Sequence, residues 1–92
     1  MKEVEISQSE QNKFLNAFLP PDTKKLYDVV KSQLEYKRLN EFWFYDRELS
    51  RRCQFQGRRL ETAKSRLSAS GLMQVIPGLV QTKFVLNDGE QQ

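Results

Sequence analysis

The feature that most constrains this fold is a pair of predicted helices separated by a glycine. Residues 46–53 have the composition of a short helix, which is broken at Gln56-Gly57. Residues 58–70 predict a second, longer helix, and Gly71 suits the left-handed conformation that commonly ends a helix. Two helices joined by a glycine-containing turn predict a helix-turn-helix unit.

A predicted hairpin follows the helix pair. Apolar-rich segments at 72–76 and 79–86 predict two strands that fold back at Pro77-Gly78. Proline and glycine suit the two central positions of a type II turn. That turn is not preferred in tight hairpins, so a longer loop that includes Leu79 is the alternative. Helix, turn, helix and hairpin together predict an α+β fold.

A helix and an aromatic segment precede the pair. Asp22 or Thr23 can cap a helix that is predicted to run to about Lys37. The segment Phe42–Tyr45 predicts a short strand, or an extended linker over the core, and both readings place its rings in the interior. Asp46 is the predicted N-cap of the next helix. Helical spacing predicts a core-facing stripe on the earlier helix, formed by Leu26, Val29, Val30 and Leu34.

The chain is predicted to divide into three parts. Residues 1–22 form an N-terminal extension with a short helix at about 8–18, residues 23–86 form the folded domain, and residues 87–92 form a polar tail. The apolar face of the N-terminal helix is expected to pack on the domain. Pairing with a second copy of the chain is the alternative.

Composition narrows the possible function classes. The chain has no histidine and one cysteine, Cys53, which excludes an intramolecular disulfide and argues against a zinc site. Cys53 is predicted to be a small core residue. Without a glycine-rich phosphate loop or a nucleophile motif, we expect no enzymatic activity and no cofactor. No segment approaches the roughly 20 apolar residues of a membrane span and no signal sequence is recognisable, so we expect a cytoplasmic protein that does not bind membranes.

Positive charge is concentrated in the helix pair. The whole chain has a net charge of +3, but residues 47–66 contain seven basic residues against two glutamates. A basic segment on a mildly acidic body is typical of a protein that contacts phosphate. The basic residues are Arg47, Arg51, Arg52, Arg58, Arg59, Lys64 and Arg66.

The longer helix has two different sides. At about 100° per residue, Leu60, Ala63 and Leu67 fall on one side and are expected to face the core. The opposite side is short, polar and positive, which would let the wall of a DNA groove approach the backbone closely. It comprises Arg58, Thr62, Ser65 and Ala69, with Arg59 and Arg66 on the adjoining flank.

The base-reading residues are predicted to lie on this longer helix, which would enter a major groove of DNA. Arginine suits the role because its planar guanidinium can pair with two acceptor atoms of guanine. Arg58, Thr62 and Ser65 are the predicted base contacts. Arg59 and Arg66 are predicted either to read bases or to bind phosphate.

A second set of residues is predicted to bind the DNA backbone. Gln56 precedes the longer helix and can reach either a base or a phosphate. Arg47, Arg51 and Arg52 on the shorter helix are predicted phosphate contacts, which fix register without reading sequence. Lys83 is the one basic residue of the hairpin and therefore its best phosphate contact.

These features resemble the winged helix-turn-helix superfamily over about residues 23–86. The matching parts are the long first helix, the aromatic segment Phe42–Phe44 and the pair split at Gln56-Gly57. The run from Leu60 to Met73, LETAKSRLSASGLM, is similar to the passage from recognition helix to first wing strand in that family. The chain looks most like small phage or plasmid replication-initiator domains and small transcriptional regulators.

The resemblance implies binding of double-stranded DNA through Arg58–Arg66, often as a homodimer, in replication initiation or transcriptional regulation. It also implies a bacterial, phage or plasmid origin. The alternative is a protein-interaction module in a replication or regulatory complex, because the apolar residues near the hairpin tip, Ile76, Leu79 and Val80, are expected to be exposed. Binding to single strands would need exposed aromatic rings, and most aromatic residues are expected in the core.

Overall fold

The computed structural model describes residues 19–86, which form an α+β arrangement of three helices and one three-stranded antiparallel sheet. The helix predicted at 8–18 and the tail predicted at 87–92 lie outside the described residues. The elements in chain order are α1 (Pro21–Lys37), β1 (Glu41–Tyr45), α2 (Asp46–Cys53), α3 (Arg58–Ser70), β2 (Met73–Pro77) and β3 (Gln81–Leu86).

The helix α1 begins without a side-chain cap. Pro20 is its N-cap residue and Pro21 its first helical residue, a position where the missing N–H of proline costs nothing. The predicted capping by Asp22 or Thr23 is therefore wrong. Asp22 instead binds Arg59 of α3. Thr23 is buried, and its hydroxyl has no hydrogen-bond partner among the described residues.

The turn between α2 and α3 contains two backbone positions with positive φ. The bounds predicted for both helices are confirmed. Gln54 ends α2 with φ 68°, and Gly57 precedes α3 with φ 64°. Gly71 ends α3 with φ 82°, as predicted. Glycine adopts such angles without a steric penalty, which explains why Gly57 and Gly71 flank α3, whereas α2 ends at a non-glycine residue.

One hydrophobic core lies between the helices and the inner face of the sheet. Three residues of the stripe predicted on α1 are buried, whereas Val29 is only half-buried and the unpredicted Tyr27 is 3 % exposed. Cys53 is 1 % exposed, which confirms it as a core residue. The buried apolar residues are Leu26, Tyr27, Val30, Leu34, Phe44, Leu49, Cys53, Phe55, Leu60, Ala63, Leu67, Leu72, Met73 and Phe84.

The aromatic segment forms strand β1, but most of its rings lie outside the core. Phe44 is 6 % exposed, whereas Phe42, Trp43 and Tyr45 are 38 %, 42 % and 59 % exposed. The prediction that all these rings are interior is wrong. Side chains alternate across a strand, so Trp43 and Tyr45 lie on the outer face. Phe42 lies on the inner face but near the end of the strand. The Lys37 Nζ atom lies over its ring, 4.6 Å from the ring centre.

The sheet has the strand order β1-β3-β2, so β3 is central. Phe84 of β3 faces Phe42 on one side and Val75 on the other. The rings of Phe44 and Phe84 meet edge to face, with centroids 5.6 Å apart. Pairing of β1 with β3 continues to Tyr45 opposite Gln81, so the hairpin extends past β1 only by its turn.

Of the two predicted hairpin loops, the structure has the longer one, which includes Leu79. Strand β2 ends at Pro77 and β3 begins at Gln81, and the Gly78 N–H donates to the Gln81 carbonyl at 2.8 Å. Leu79 and Val80 are therefore the central turn residues rather than part of a strand. The type II turn centred on Pro77 and Gly78 is wrong, because Gly78 is not among the residues with positive φ.

Asp46 has a different role from the predicted N-cap. Tyr45 occupies the N-cap position of α2, and Asp46 is its first helical residue. The Asp46 carboxylate accepts hydrogen bonds from Thr82 at 2.8 Å and from Lys64 at 3.3 Å. Both tertiary partners bind the same atom, Oδ1 of Asp46.

Candidate nucleic-acid interface

The two sides of α3 are oriented as predicted. Leu60, Ala63 and Leu67 are 3 %, 1 % and 0 % exposed and hold the helix on the core. Helix α3 packs against α1 and β2 through this side. The predicted outward residues are all exposed: Arg58, Thr62, Ser65, Arg66 and Ala69.

Two arginines of α3 remain available for a ligand. Among residues 19–86, neither Arg58 nor Arg66 forms a hydrogen bond or salt bridge with another side chain, and both are exposed. Thr62 and Ser65 lie between them on the same surface. The result is a positively charged strip with small side chains at its centre, which a ligand can approach without first breaking an ion pair.

Arg59 is engaged elsewhere, although it is adjacent to Arg58. Its Nε and Nη2 atoms donate to the two carboxylate oxygens of Asp22, each at 2.9 Å, and its guanidinium lies 4.9 Å from the ring centre of Phe55. The hydrogen bonds from Arg59 hold the pKa of the Asp22 carboxyl below its ordinary value, against a smaller effect of burial, and the charges of Arg59 and Arg66 add to this lowering. Arg59 thus ties α3 to α1.

The three arginines of α2 differ in how free their side chains are to bind a ligand. Arg51 Nη1 lies 3.1 Å from Glu48 Oε1, and Arg52 Nε lies 2.8 Å from Glu48 Oε2. The Arg51 side chain is nevertheless 68 % exposed. Arg47 is exposed and forms no salt bridge within residues 19–86.

Several predicted site residues do converge on one surface. Arg47, Arg51 and Gln56 line a cleft of about 550 Å³ between α2 and the first turn of α3. Arg47 and Arg51 also line a second cleft, of about 620 Å³, against Leu79 and Val80 of the hairpin turn. The two clefts connect the start of α3 with the hairpin tip through these arginines.

Two predicted phosphate contacts lie away from this surface. Arg52 lines a different cleft, together with residues of α1 such as Lys24 and Asp28. Lys83 lies on the outer face of the sheet, opposite Trp43, and forms a salt bridge with Glu41 at 3.1 Å. The structure therefore does not bring Arg52 or Lys83 together with the residues of α3.

One buried charged residue was not predicted as a site residue. Lys64 is 6 % exposed and lies on the inward side of α3. A signal for this existed in the sequence, since Lys64 is four residues after Leu60 and three before Leu67, and these spacings place residues on one helix face. Of the seven basic residues at 47–66, Lys64 therefore adds no charge to the surface that a ligand could contact.

The described residues hold neither a candidate metal site nor an exposed thiol. No group of three histidine, cysteine, aspartate or glutamate side chains that could hold a metal converges within residues 19–86. Burial raises the pKa of the Cys53 thiol, against a smaller effect of the Lys25 charge. In the same part of the chain, no helix has both the length and the apolar character to cross a bilayer.

Comparison with known proteins gave no relative: no family model, curated protein or solved structure matches this chain. The resemblance to the winged helix-turn-helix superfamily stays a prediction.

Proposed function

We propose that this chain is a winged helix-turn-helix domain that binds double-stranded DNA, with α3 in the major groove. The observation that carries the proposal is the two-sidedness of α3. Leu60 and Leu67 fix the helix to the core, while Arg58 and Arg66 stand exposed and unpaired within the described residues. The major groove of B-DNA is wide enough to admit such a helix.

The arrangement of elements supports the winged-helix part of this proposal. A long helix, a short strand, two helices and a two-stranded hairpin follow each other in the chain. The first strand joins the hairpin on its β3 side. Helix-turn-helix proteins place the second helix of the pair in the major groove, and α3 holds this position in the described chain.

The proposed base contacts are Arg58, Thr62 and Ser65. Arg58 lies in the first turn of α3, the part of a recognition helix that usually reaches the base edges. Its guanidinium can donate to O6 and N7 of one guanine. Thr62 and Ser65 are small enough to let the helix backbone come near the groove floor. Arg66 extends the same strip toward a phosphate or a base.

The proposed backbone contacts are Arg47, Arg51 and Gln56. They line one cleft beside the first turn of α3, so each would face a phosphate of the strand that borders the groove. Such contacts set the register of the helix and make binding depend on salt. Replication initiation and transcriptional regulation are both consistent with this activity, and a homodimer would read a two-fold symmetric site.

Selection from a random pool of duplexes at moderate salt tests the proposal. We expect enrichment of a common sequence, and a palindromic consensus if the chain binds as a dimer. Equal retention of all duplexes would contradict base reading, and no retention at low salt would contradict DNA binding altogether. The control is Arg58→Ala with Arg66→Ala, which should remove the enrichment while the circular dichroism spectrum stays unchanged.

A protein-interaction role is the second candidate, because the hairpin turn is apolar and exposed. Leu79 is 99 % exposed and Val80 is 65 % exposed. Ile76, which was predicted to be exposed with them, is half-buried. A partner captured by the wild type but not by a Leu79→Ser, Val80→Ser variant, without salt-dependent DNA retention, would favour this candidate.

Binding of single-stranded nucleic acid should be measured alongside binding of duplexes. Most aromatic rings were expected in the core, but Trp43 and Tyr45 are exposed on the outer sheet face. Aromatic residues at such positions can stack on bases. Stronger binding to single strands than to duplexes, lost on Trp43→Ala, would contradict the proposed use of α3.

A further inference from the structure

The buried residue Lys64 forms the most connected polar cluster in the described chain. Its side chain is 7 % exposed. Its Nζ atom donates to Thr82 Oγ1 at 3.0 Å and to Asp46 Oδ1 at 3.3 Å, and it lies 2.9 Å from Glu61 Oε2. Thr82 in turn donates to Asp46 Oδ1 at 2.8 Å. The cluster therefore closes a triangle between α3, the start of α2 and strand β3.

Asp46 extends this triangle to both parts of the proposed DNA-binding surface. Its backbone N–H donates to the Val80 carbonyl in the hairpin turn at 2.9 Å. The next residue along the chain is Arg47, which lines both clefts beside α3 and the turn. A movement of Asp46 relative to Lys64 would therefore displace the turn and Arg47 relative to the recognition helix.

The cluster is better suited to orientation than to stabilisation. Replacing buried ionic groups with apolar groups of similar size often leaves stability unchanged, because desolvation offsets the attraction between the charges. Leu60, Ala63 and Leu67 already hold α3 on the core. Apolar contacts are not directional, whereas hydrogen bonds prefer nearly linear geometry, so the cluster restricts the angle of α3.

We infer that Lys64 is a positioning residue, which sets the orientation of α3 relative to the hairpin and Arg47 so that they contact one duplex together. The expected effect on DNA binding rests on the proposed function, whereas the expected effect on the orientation of α3 rests only on the hydrogen bonds of the cluster. Lys64 itself contacts no DNA, because its ammonium is enclosed by Asp46, Glu61 and Thr82.

Four variants test this role. Thr82→Val removes the hydroxyl that bridges Lys64 and Asp46 and keeps the side-chain size, and Thr82→Ser is its matched control. Lys64→Met removes the charge and keeps most of the length. Lys24→Met, at an exposed lysine on α1, is the control for the loss of one positive charge.

The DNA measurement is the ratio of affinities for the selected duplex and for a random duplex. We expect Thr82→Val and Lys64→Met to lower this ratio about tenfold, comparable to the loss of one base-reading contact. The dependence of affinity on salt should stay as in the wild type, because no phosphate contact is removed. Thr82→Ser and Lys24→Met should keep the wild-type ratio. A flatter salt dependence for Lys64→Met than for Lys24→Met would overturn the inference and make Lys64 a phosphate contact.

A second measurement separates this inference from the proposed function. Residual dipolar couplings of backbone amides give the angle between α3 and the sheet without DNA. We expect the angle or its spread to change in Thr82→Val and in Lys64→Met but not in Thr82→Ser. Unchanged couplings in both variants would overturn the inference. If the wild type bound no duplex, the proposed function would fail, whereas the couplings would still decide the role of Lys64.

Discussion

Arg58 and Arg59 are neighbours in sequence, yet they lie on surfaces of α3 with different properties. The surface with Arg58 is exposed and contains no salt bridge among the described residues. Arg66 is also unpaired there, but it lies only about 20° from Arg59 around the helix. The surface with Arg59 contacts α1 through the paired hydrogen bonds to Asp22. A step of about 100° around the helix separates the two arginines. The charge available to a ligand therefore depends on side-chain partners and not on the number of basic residues.

The largest expected effect is on the free energy of unfolding. It comes from removing a core contact of α3, the helix that carries both surfaces. Leu67→Ala should lower the free energy of unfolding by about 2–5 kcal/mol, because it removes a fully buried side chain and leaves a cavity. Urea denaturation measures the change. The control is Ser68→Ala at the next, exposed position, which should alter stability by less than about 0.5 kcal/mol. Similar effects of the two substitutions would mean that α3 is not held on the core by Leu67.

The variants Arg58→Ala and Arg59→Ala, measured in parallel, test whether the two arginines differ in DNA binding. Arg58→Ala should reduce affinity for the selected duplex by about 1–3 kcal/mol and relax the preference at one base pair. Arg59→Ala should leave the base preference unchanged, since Asp22 already holds this side chain. Fluorescence anisotropy with duplexes changed one base pair at a time measures both. A stronger loss of preference for Arg59→Ala would reverse the assignment.

A similar contrast exists on α2, where Arg51 and Arg52 share Glu48. Arg51 lines the clefts beside α3 and the hairpin turn, whereas Arg52 lines a cleft against α1. Arg51→Ala should weaken binding to all duplexes alike and reduce the slope of log affinity against log salt by about 1. Arg52→Ala should leave the slope unchanged, although it removes the same charge. Equal slopes for the two variants would remove Arg51 from the proposed interface.

The smallest effect concerns the salt bridge that distinguishes Arg59. The pKa of the Asp22 carboxyl is lowered from 3.8, chiefly by hydrogen bonds from Arg59. Stabilisation by this pair is therefore complete above the unfolded-state pKa and disappears as the pH falls through the lowered, folded-state value. Titration of the carboxyl carbon by NMR should give a higher pKa in Arg59→Ala than in the wild type. Arg58→Ala is the control, and an equal rise there would contradict a specific Asp22–Arg59 contact.

The sequence was most informative where the local backbone decides the structure. The bounds of α3 were predicted correctly because Gly57 and Gly71 on either side of it take positive φ, which glycine adopts without a steric penalty. The bounds of α2 were also predicted correctly, although α2 ends at Gln54, a non-glycine residue with positive φ. The inward side of α3 was also predicted correctly, since helical periodicity alone determines which residues share a face. These features depend on residues close together in the chain.

The sequence was least informative where distant residues compete for the same group. Asp46 has the right chemistry for an N-cap, but Thr82 and Lys64 bind its carboxylate. Asp22 likewise binds Arg59, which is 37 positions away. Such pairings depend on the tertiary arrangement, so local propensity could not reveal them.

The same limit applied to the aromatic segment. Its composition indicated a strand, and the alternation of side chains could have placed Trp43 and Tyr45 on the face opposite Phe44. Whether that outer face is covered depends on the packing of other elements. The exposure of Trp43 and Tyr45 could therefore not be read from composition.

Two neighbouring residues of the hairpin turn have different roles: the fold requires glycine at Gly78, whereas Leu79 is exposed to any ligand. A Cβ atom at Gly78 would lie 2.8 Å from the Gln81 carbonyl oxygen and 3.2 Å from the Trp43 ring, so a side chain has no room there. Leu79 is almost fully exposed and contributes almost no buried surface to the core. Mutation can therefore change the chemistry at position 79 at almost no cost to folding. The hairpin turn is a place where new binding preferences can evolve while the scaffold stays intact.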